Sequence, residues 1–214
     1  MIRILLADDH EVVRKGMSAV LAQRSDWELC GEASDGREAV RLASKFQPHV
    51  AIIDLSMPGL NGLEATRQIR REVPRTEILI FSMYEDEQFV HEVLSAGARG
   101  YLLKSDVASQ LITAVETVAR HKPYFTSDIA EKVLEGFLKL NTGGESQGQG
   151  LLTAREREIV QLLAESKSNK EVATVLNISV KTVQTHRATI MRKLGIGSIV
   201  DLVHYAIRNK LVAP

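Results

Sequence analysis

The sequence predicts a five-stranded, doubly wound parallel α/β sheet followed by a separate all-α unit of four helices. Three observations carry this. Up to about residue 120, short continuous apolar runs alternate with longer amphipathic stretches. Residues 141–150, NTGGESQGQG, hold four glycines and no aliphatic or aromatic side chain. Beyond them the pattern is helical only. A chain of 214 residues is long enough for two units of ordinary size, and 44 % apolar with 25 % charged residues suits two genuine cores.

Strands are expected at Ile2–Ala7, Leu29–Ala33, Val50–Asp54, Ile78–Ser82 and Gly100–Leu103. They are apolar along their length, as strands covered on both faces must be. Helices are expected near 11–23, 36–46, 62–72, 87–96 and 107–120. Alternating strand and helix in this way makes each strand parallel to its neighbour. A further helical pattern, Ser127–Leu140, keeps Ile129, Val133, Phe137 and Leu140 at helical spacing and is expected to pack. The glycine-rich stretch after it has nothing to bury and is expected to be a flexible linker. The domains are therefore placed at 1–122 and 151–214, with a linker helix and flexible linker over 123–150.

After the linker, Thr153–Glu156, Ser168–Glu171 and Ser198–Asp201 each have a hydroxyl residue three positions before an acid, the signature of a capping box. Ser179 is placed to cap a further helix, and Gly195 to end it. Helices are expected near 154–165, 169–176, 180–194 and 199–209, and the three residues Asn177–Ser179 give the second and third a helix-turn-helix spacing.

Zero net charge conceals a division. Residues 1–150 carry 17 basic and 22 acidic side chains, whereas residues 151–214 carry 10 and 5. A small basic module beside an acidic one points to nucleic acid as a partner of the second. No apolar run reaches the roughly 18 residues that span a bilayer, and MIRILLADDH turns acidic before a signal-peptide core can form. A cytoplasmic location is expected, without membrane partners. Cys30 is the single cysteine and is read as a structural thiol in a strand.

Ligands of open α/β sheets bind beyond the carboxyl ends of the strands. Those ends hold Asp8 and Asp9, Asp54, Ser82 and Lys104. Three carboxylates together call for a cation, and hard oxygen donors suit Mg²⁺ or Mn²⁺. A carboxylate can accept a phosphoryl group. Here Asp54 is the candidate, with Ser82 to hydrogen-bond one phosphoryl oxygen and Lys104 to neutralise another.

This set, with the run Asp54-Leu55-Ser56-Met57-Pro58-Gly59 and Gly62, resembles the receiver domain of bacterial two-component response regulators over roughly residues 2–121. The resemblance implies a flavodoxin-like fold and a phosphoryl transfer from a sensor histidine kinase to Asp54. It implies Mg²⁺ held by Asp9, Asp54 and the backbone carbonyl of Ser56, with Asp8 acting mainly through water. It further implies Ser82 and Tyr101 as the switch pair, a cis peptide after Lys104, and slow self-dephosphorylation in place of enzymatic turnover. A phosphoaspartyl hydrolase of the haloacid dehalogenase type is the rival enzyme reading; it needs an acid two residues after the nucleophile, where this chain has Ser56. A DNA binder indifferent to phosphorylation is the other rival, and the complete set of strand-end groups argues against it.

In the third of the C-terminal helices, Val183, Ile190 and Leu194 share one stripe of a wheel drawn at about 100° per residue. Lys181, Gln184, Thr185, Ala188 and Arg192 share the opposite face. Such a helix can enter the major groove of double-stranded promoter DNA with its N-terminal part leading. Gln184 and Thr185, with Lys181 close by, are candidates for base contacts, and Lys170, Thr182, Arg187 and Lys193 for phosphates. Arg187 lies near the apolar stripe, and His186 is either a packing or a DNA-contacting residue. The segment LTAREREIVQLLAESKSNKEVATVLNISVKTVQTHRATIMRKLGI resembles the LuxR-type helix-turn-helix over roughly 151–212, and with the receiver it resembles the NarL/FixJ subfamily. That implies a homodimer formed through the last helix, whose Leu202, Val203 and Ala206 serve either that interface or packing on the other three helices, and RNA polymerase as a further partner. Two residues depart from the family. Ser166 stands where a helix-ending glycine is usual, so a differently built turn is expected there; Ile199 stands where many relatives have arginine.

Overall fold

The computed structural model describes residues 1–85, 87–126, 129–131, 133 and 152–212, apart from the side chains of 87–89 and 107–109. The expected linker 141–150 and most of the helical segment Ser127–Leu140 lie outside the described residues. Of that segment, Ile129 is described, and it is fully buried.

The chain forms two compact units. In the first, β1 (Ile2–Ala7), β2 (Trp27–Ala33), β3 (Val50–Asp54), β4 (Glu77–Ser82) and β5 (Gly100–Leu103) alternate with α1 (Glu11–Leu21), α2 (Gly36–Phe46), α3 (Gly62–Glu72), α4 (Glu87–Ser95) and α5 (Val107–Ala119). Every expected strand is present, and the helix ends differ by two residues at most. The sheet is parallel throughout, in the order β2-β1-β3-β4-β5, with one further strand beyond β5. The sixth strand, β6 (Tyr124–Phe125), was not expected: two residues behind Pro123 show no periodicity, and its Tyr124 simply continues the sheet beside Gly100.

Alternate strand residues face opposite layers. Ile4, Leu6, Val50, Ile52, Leu79, Phe81 and Leu102 pack with Met17 and Leu21 of α1 and with Leu111, Val115 and Val118 of α5. The other face takes Leu5, Ala51, Ile53, Ile78 and Ile80, all fully buried. Glu77 extends β4 by one residue beyond its apolar run. It is accommodated there because Arg99 Nε lies 3.1 Å away and His121 Nδ1 2.7 Å away. Burial pushes the Glu77 carboxyl up, but the hydrogen bonds from Arg99 and His121 outweigh it and hold the group below its ordinary value. No cis peptide bond occurs among the described residues. The turn after Lys104, expected to be cis, is instead a 3₁₀ turn over Lys104–Asp106, sparing the cost of a non-proline cis bond.

The second unit holds α6 (Ala154–Ala164), α7 (Asn169–Leu176), α8 (Val180–Leu194) and α9 (Ile199–Arg208). All three capping boxes form, at Thr153–Glu156, Ser168–Glu171 and Ser198–Asp201. Ser179 Oγ accepts from the Thr182 N–H at 3.0 Å to open α8. The core joins Leu152, Ile159, Leu162, Val172, Leu176, Val183, Ile190 and Leu202.

Gly195 ends α8 with φ 64°, as its place in the sequence requires. Ser166 does the same after α6, with φ 63°, so the turn is built in the usual left-handed way despite its side chain. Ser166 N–H donates to Leu163 O at 3.1 Å and Lys167 N–H to Leu162 O at 3.0 Å, the paired bonds of a Schellman motif. These bonds satisfy helix carbonyls and offset a left-handed conformation that disfavours a residue with a Cβ by about 1 kcal/mol. Ser166→Gly is therefore expected to stabilise this unit by about 0.5–1 kcal/mol, measured as a higher urea midpoint with an unchanged slope.

Candidate functional site

Parallel register assembles the strand ends. Ala7 lies beside Ile53, Asp54 beside Phe81, and Ser82 beside Leu103. Asp8, Asp54, Ser82 and Lys104 consequently share one rim. Asp8 and Ser82 are fully buried and Asp54 is 2 % exposed. Lys104 reaches both acids, with Nζ 2.7 Å from Asp8 Oδ2 and 3.0 Å from Asp54 Oδ2. It also stands 5.4 Å above the Phe81 ring, a favourable position for a cation.

The floor of the site is set by backbone packing. Asn61 Oδ1 accepts from Glu64 N–H at 2.9 Å and starts α3. Gly62 N–H donates to Leu55 O at 2.9 Å, and a Cβ at Gly62 would lie 2.0 Å from the Asp54 carbonyl oxygen. Only a residue without a side chain lets α3 begin this close to the end of β3.

Charge in the pocket is unbalanced. Asp8, Asp9, His10 and Asp54 bring ligand atoms within 4.8 Å of one another. Asp9 Oδ1 and Asp54 Oδ2 are buried atoms; His10 Nδ1 stands 2.7 Å from the first and Lys104 Nζ 3.0 Å from the second. Burial pushes the Asp54 carboxyl up; Lys104 pulls it down, and Asp8 and Asp9 push it further up. The Lys104 ammonium is drawn down by its burial but ends above its ordinary value, because Asp54 and Asp8 stabilise the charged form. Three acids gathered around one lysine ammonium, with buried carboxylate oxygens among them, fit a hard divalent cation. Ser82 Oγ accepts from Tyr84 N–H at 3.1 Å, and Tyr101, fully buried, donates its hydroxyl to Tyr84 O at 2.7 Å. The five strand-end groups expected from sequence are thus brought together. His10 and Tyr84 were missed, since neither occupies a strand end.

On the helical unit, the α8 face carrying Lys181, Thr182, Gln184, Thr185 and Ala188 is exposed, and so is Lys170 on α7. Val183 and Ile190 face the core with no exposure. Thr182 Oγ1 is shared with Ser179 Oγ at 2.8 Å, and Thr185 Oγ1 donates to Lys181 O at 3.0 Å, leaving its lone pairs outward. Two expected phosphate contacts differ in setting. Lys193 Nζ is paired with Glu156 Oε2 at 2.7 Å, and Arg187, half-buried, lines a groove of about 570 Å³ with Ile199, Val200 and Val203. His186 is half-buried. The Arg155 guanidinium donates to Leu176 O at 2.8 Å and to Glu158 at 2.9 Å, clamping the end of α7 where the turn into α8 begins. No helix among the described residues is long and apolar enough to cross a membrane.

Comparison with known proteins divides the chain in the same way. Residues 4–116 match the response regulator receiver domain, and residues 150–206 match the luxR family of bacterial regulatory proteins. The transcriptional regulatory protein LiaR of Bacillus subtilis is 43 % identical over 213 residues, 99 % of this chain and 100 % of that protein. The oxygen regulatory protein NreC of Staphylococcus carnosus is 43 % identical over 215 residues, covering 98 % and 99 %. Among solved structures, a LuxR-family two-component response regulator from Aurantimonas matches 64 % of this chain and 99 % of its own at 37 % identity, with a TM-score of 0.61. RcsB of Salmonella enterica serovar Typhimurium, bound to the promoter rprA in the presence of the phosphomimetic BeF₃⁻, matches 95 % and 97 % at 26 % identity and a TM-score of 0.61.

Proposed function

This chain belongs to the two-component response regulators that join a receiver domain to a LuxR-type DNA-binding domain, and we propose that a sensor histidine kinase switches it by phosphorylating Asp54. The observation that carries the reading is the buried Asp54 carboxylate, held between Lys104 and two further acids at the sheet rim. One carboxylate oxygen of Asp54 attacks the phosphorus and the donor's leaving group departs. Lys104 transfers its contact from Asp54 to a phosphoryl oxygen, and Ser82 donates its hydroxyl to another. Asp9, Asp54 and the Ser56 carbonyl would hold Mg²⁺, with Asp8 acting through water, and the ion would supply positive charge to the phosphoryl oxygens. Tyr101 reports the reorientation of Ser82. Self-dephosphorylation is slow.

Residues 1–122 act as the receiver and 151–214 as the DNA-binding domain, joined through 123–150. Gln184 and Thr185, with Lys181, read base edges, while Lys170 and Thr182 meet phosphates. Arg187 and Lys193 join the phosphate contacts if they leave the groove and Glu156. Two copies occupy two half-sites of a promoter, gaining affinity through effective concentration, and RNA polymerase is engaged from there. All of this takes place in the cytoplasm.

The test is incubation with acetyl phosphate and Mg²⁺. The intact chain is expected to gain one hydroxylamine-labile phosphoryl group by mass and to shift promoter fragments at lower protein concentration. Asp54→Asn is expected to gain none. Equal labelling of Asp54→Asn would remove the basis of the reading.

A further inference from the structure

Tyr84 follows β4 and spends each of its three polar groups on a different part of the pocket. Its N–H donates to Ser82 Oγ at 3.1 Å, its carbonyl accepts from Tyr101 at 2.7 Å, and its phenolic oxygen accepts from Ser56 Oγ at 3.2 Å. Ser82 and Tyr101 are fully buried, whereas Ser56 and Tyr84 are half-buried at the mouth. The phenol thus links the strand-four loop to the loop after Asp54. Holding Ser56 Oγ restrains the whole residue, its carbonyl included. When Ser82 turns its hydroxyl toward a phosphoryl oxygen, its lone pairs reorient, the Tyr84 N–H loses its acceptor geometry, and the segment bearing the phenol loosens.

We propose that Tyr84 is a positioning residue that couples metal affinity at the Ser56 side of the pocket to phosphoryl sensing at the Ser82–Tyr101 side. This rests on the reading of the Ser56 carbonyl as a metal ligand. Coupling of this kind is reciprocal: whatever loosens Tyr84 weakens the metal, and the metal in turn holds Tyr84 in place. A ring that merely filled the mouth would give the same burial, but it would not make the phenolic oxygen matter.

The experiment titrates the full-length protein with Mn²⁺, an EPR-visible probe, for wild type, Tyr84→Phe, Ser56→Ala, the double variant and Ser56→Thr. Losing one hydrogen bond is expected to weaken Mn²⁺ about two- to tenfold in either single variant. The double variant is expected to match the singles, because both remove the same bond. Ser56→Thr, which keeps the hydroxyl, is expected to bind as wild type does. Tyr84→Phe retains the ring, so its thermal midpoint verifies that the fold is intact. Unchanged affinity in Tyr84→Phe, or effects of the two singles that multiply, would overturn the coupling. Failure of the wild type to bind Mn²⁺ at all would overturn the metal reading together with it, whereas labelling at Asp54 reports on the phosphoacceptor independently.

Discussion

Gly62→Ala is expected to cost the α/β unit about 3 kcal/mol or more, at or beyond the upper end of ordinary overpacking penalties. The new methyl would sit 2.0 Å from the Asp54 carbonyl oxygen and 2.9 Å from Leu55 Cα. Both obstacles are backbone, so no rotamer change relieves them. Either α3 withdraws and breaks the Gly62–Leu55 hydrogen bond, or the end of β3 moves and takes Asp54 with it. A thermal melt followed by circular dichroism is expected to fall by roughly 10–20 °C. Residual folded protein is expected to phosphorylate slowly, since its acceptor is displaced. Gly16→Ala serves as a control. It lies in α1 with nothing within 4 Å of the added Cβ, and it should raise stability by about 0.5–1 kcal/mol.

Lys104→Met is the second large effect. It leaves Asp8 and Asp54, both essentially inaccessible, without the ammonium that faces them at 2.7 and 3.0 Å. Removing one partner of a buried ion pair typically costs about 3–5 kcal/mol, and the lower end is expected here because the site can take up a cation. Adding Mg²⁺ should restore much of the loss by mass action, and Asp8→Asn in the same chain should restore part of it without metal. The pH dependence follows from the direction of each shift. Asp54 lies above its ordinary value in the folded protein, so its contribution is present below the unfolded carboxylate value of about 3.9 and is lost as pH rises through the folded one. Without Lys104 that loss extends to higher pH, so the variant should become progressively less stable as the solution is brought toward neutrality. In the wild type Lys104 is itself raised, and its contribution persists until pH climbs through its folded value, beyond the unfolded value of about 10.4. Urea titrations over a pH series, with and without Mg²⁺, would check both. Metal-insensitive stability in Lys104→Met would count against the cation site.

Much of this was legible in the chain because the signals were local or periodic. Continuous apolar runs marked the strands, and since a parallel sheet places ligands beyond its strand ends, Asp54, Ser82 and Lys104 could be listed before any contact was known. Capping was equally readable: a hydroxyl residue and an acid three positions apart fixed the starts of α6, α7 and α9. What escaped was whatever depended on side chains meeting across the fold. Lys193 was expected to meet a phosphate, but Glu156, 37 positions earlier, holds it. The Glu156 carboxyl is pushed up by burial, yet Lys193 and the Thr153 hydrogen bonds keep it below its ordinary value. Tyr84 had no pattern of its own, because its links to Ser82 and Tyr101 are made by its backbone. The Ser166 turn was misjudged for a related reason: the cost of a left-handed serine was visible in the sequence, but the two hydrogen bonds that offset it were not.

The all-parallel register has a kinetic consequence. β1 pairs with β3 through Ile4 and Val50, neighbours in space that are far apart in sequence, and no adjacent strands can form as a simple hairpin. Loop-closure entropy must be met before such pairings return any energy. The helices α6 to α9, by contrast, are joined by short connections and capped within their own first turns. During synthesis, then, the sheet has the head start and the helical module has the speed. The helical module is expected to reach its native form quickly once its own residues are made, whereas the acidic groups of the rim come together only when β3 docks beside β1.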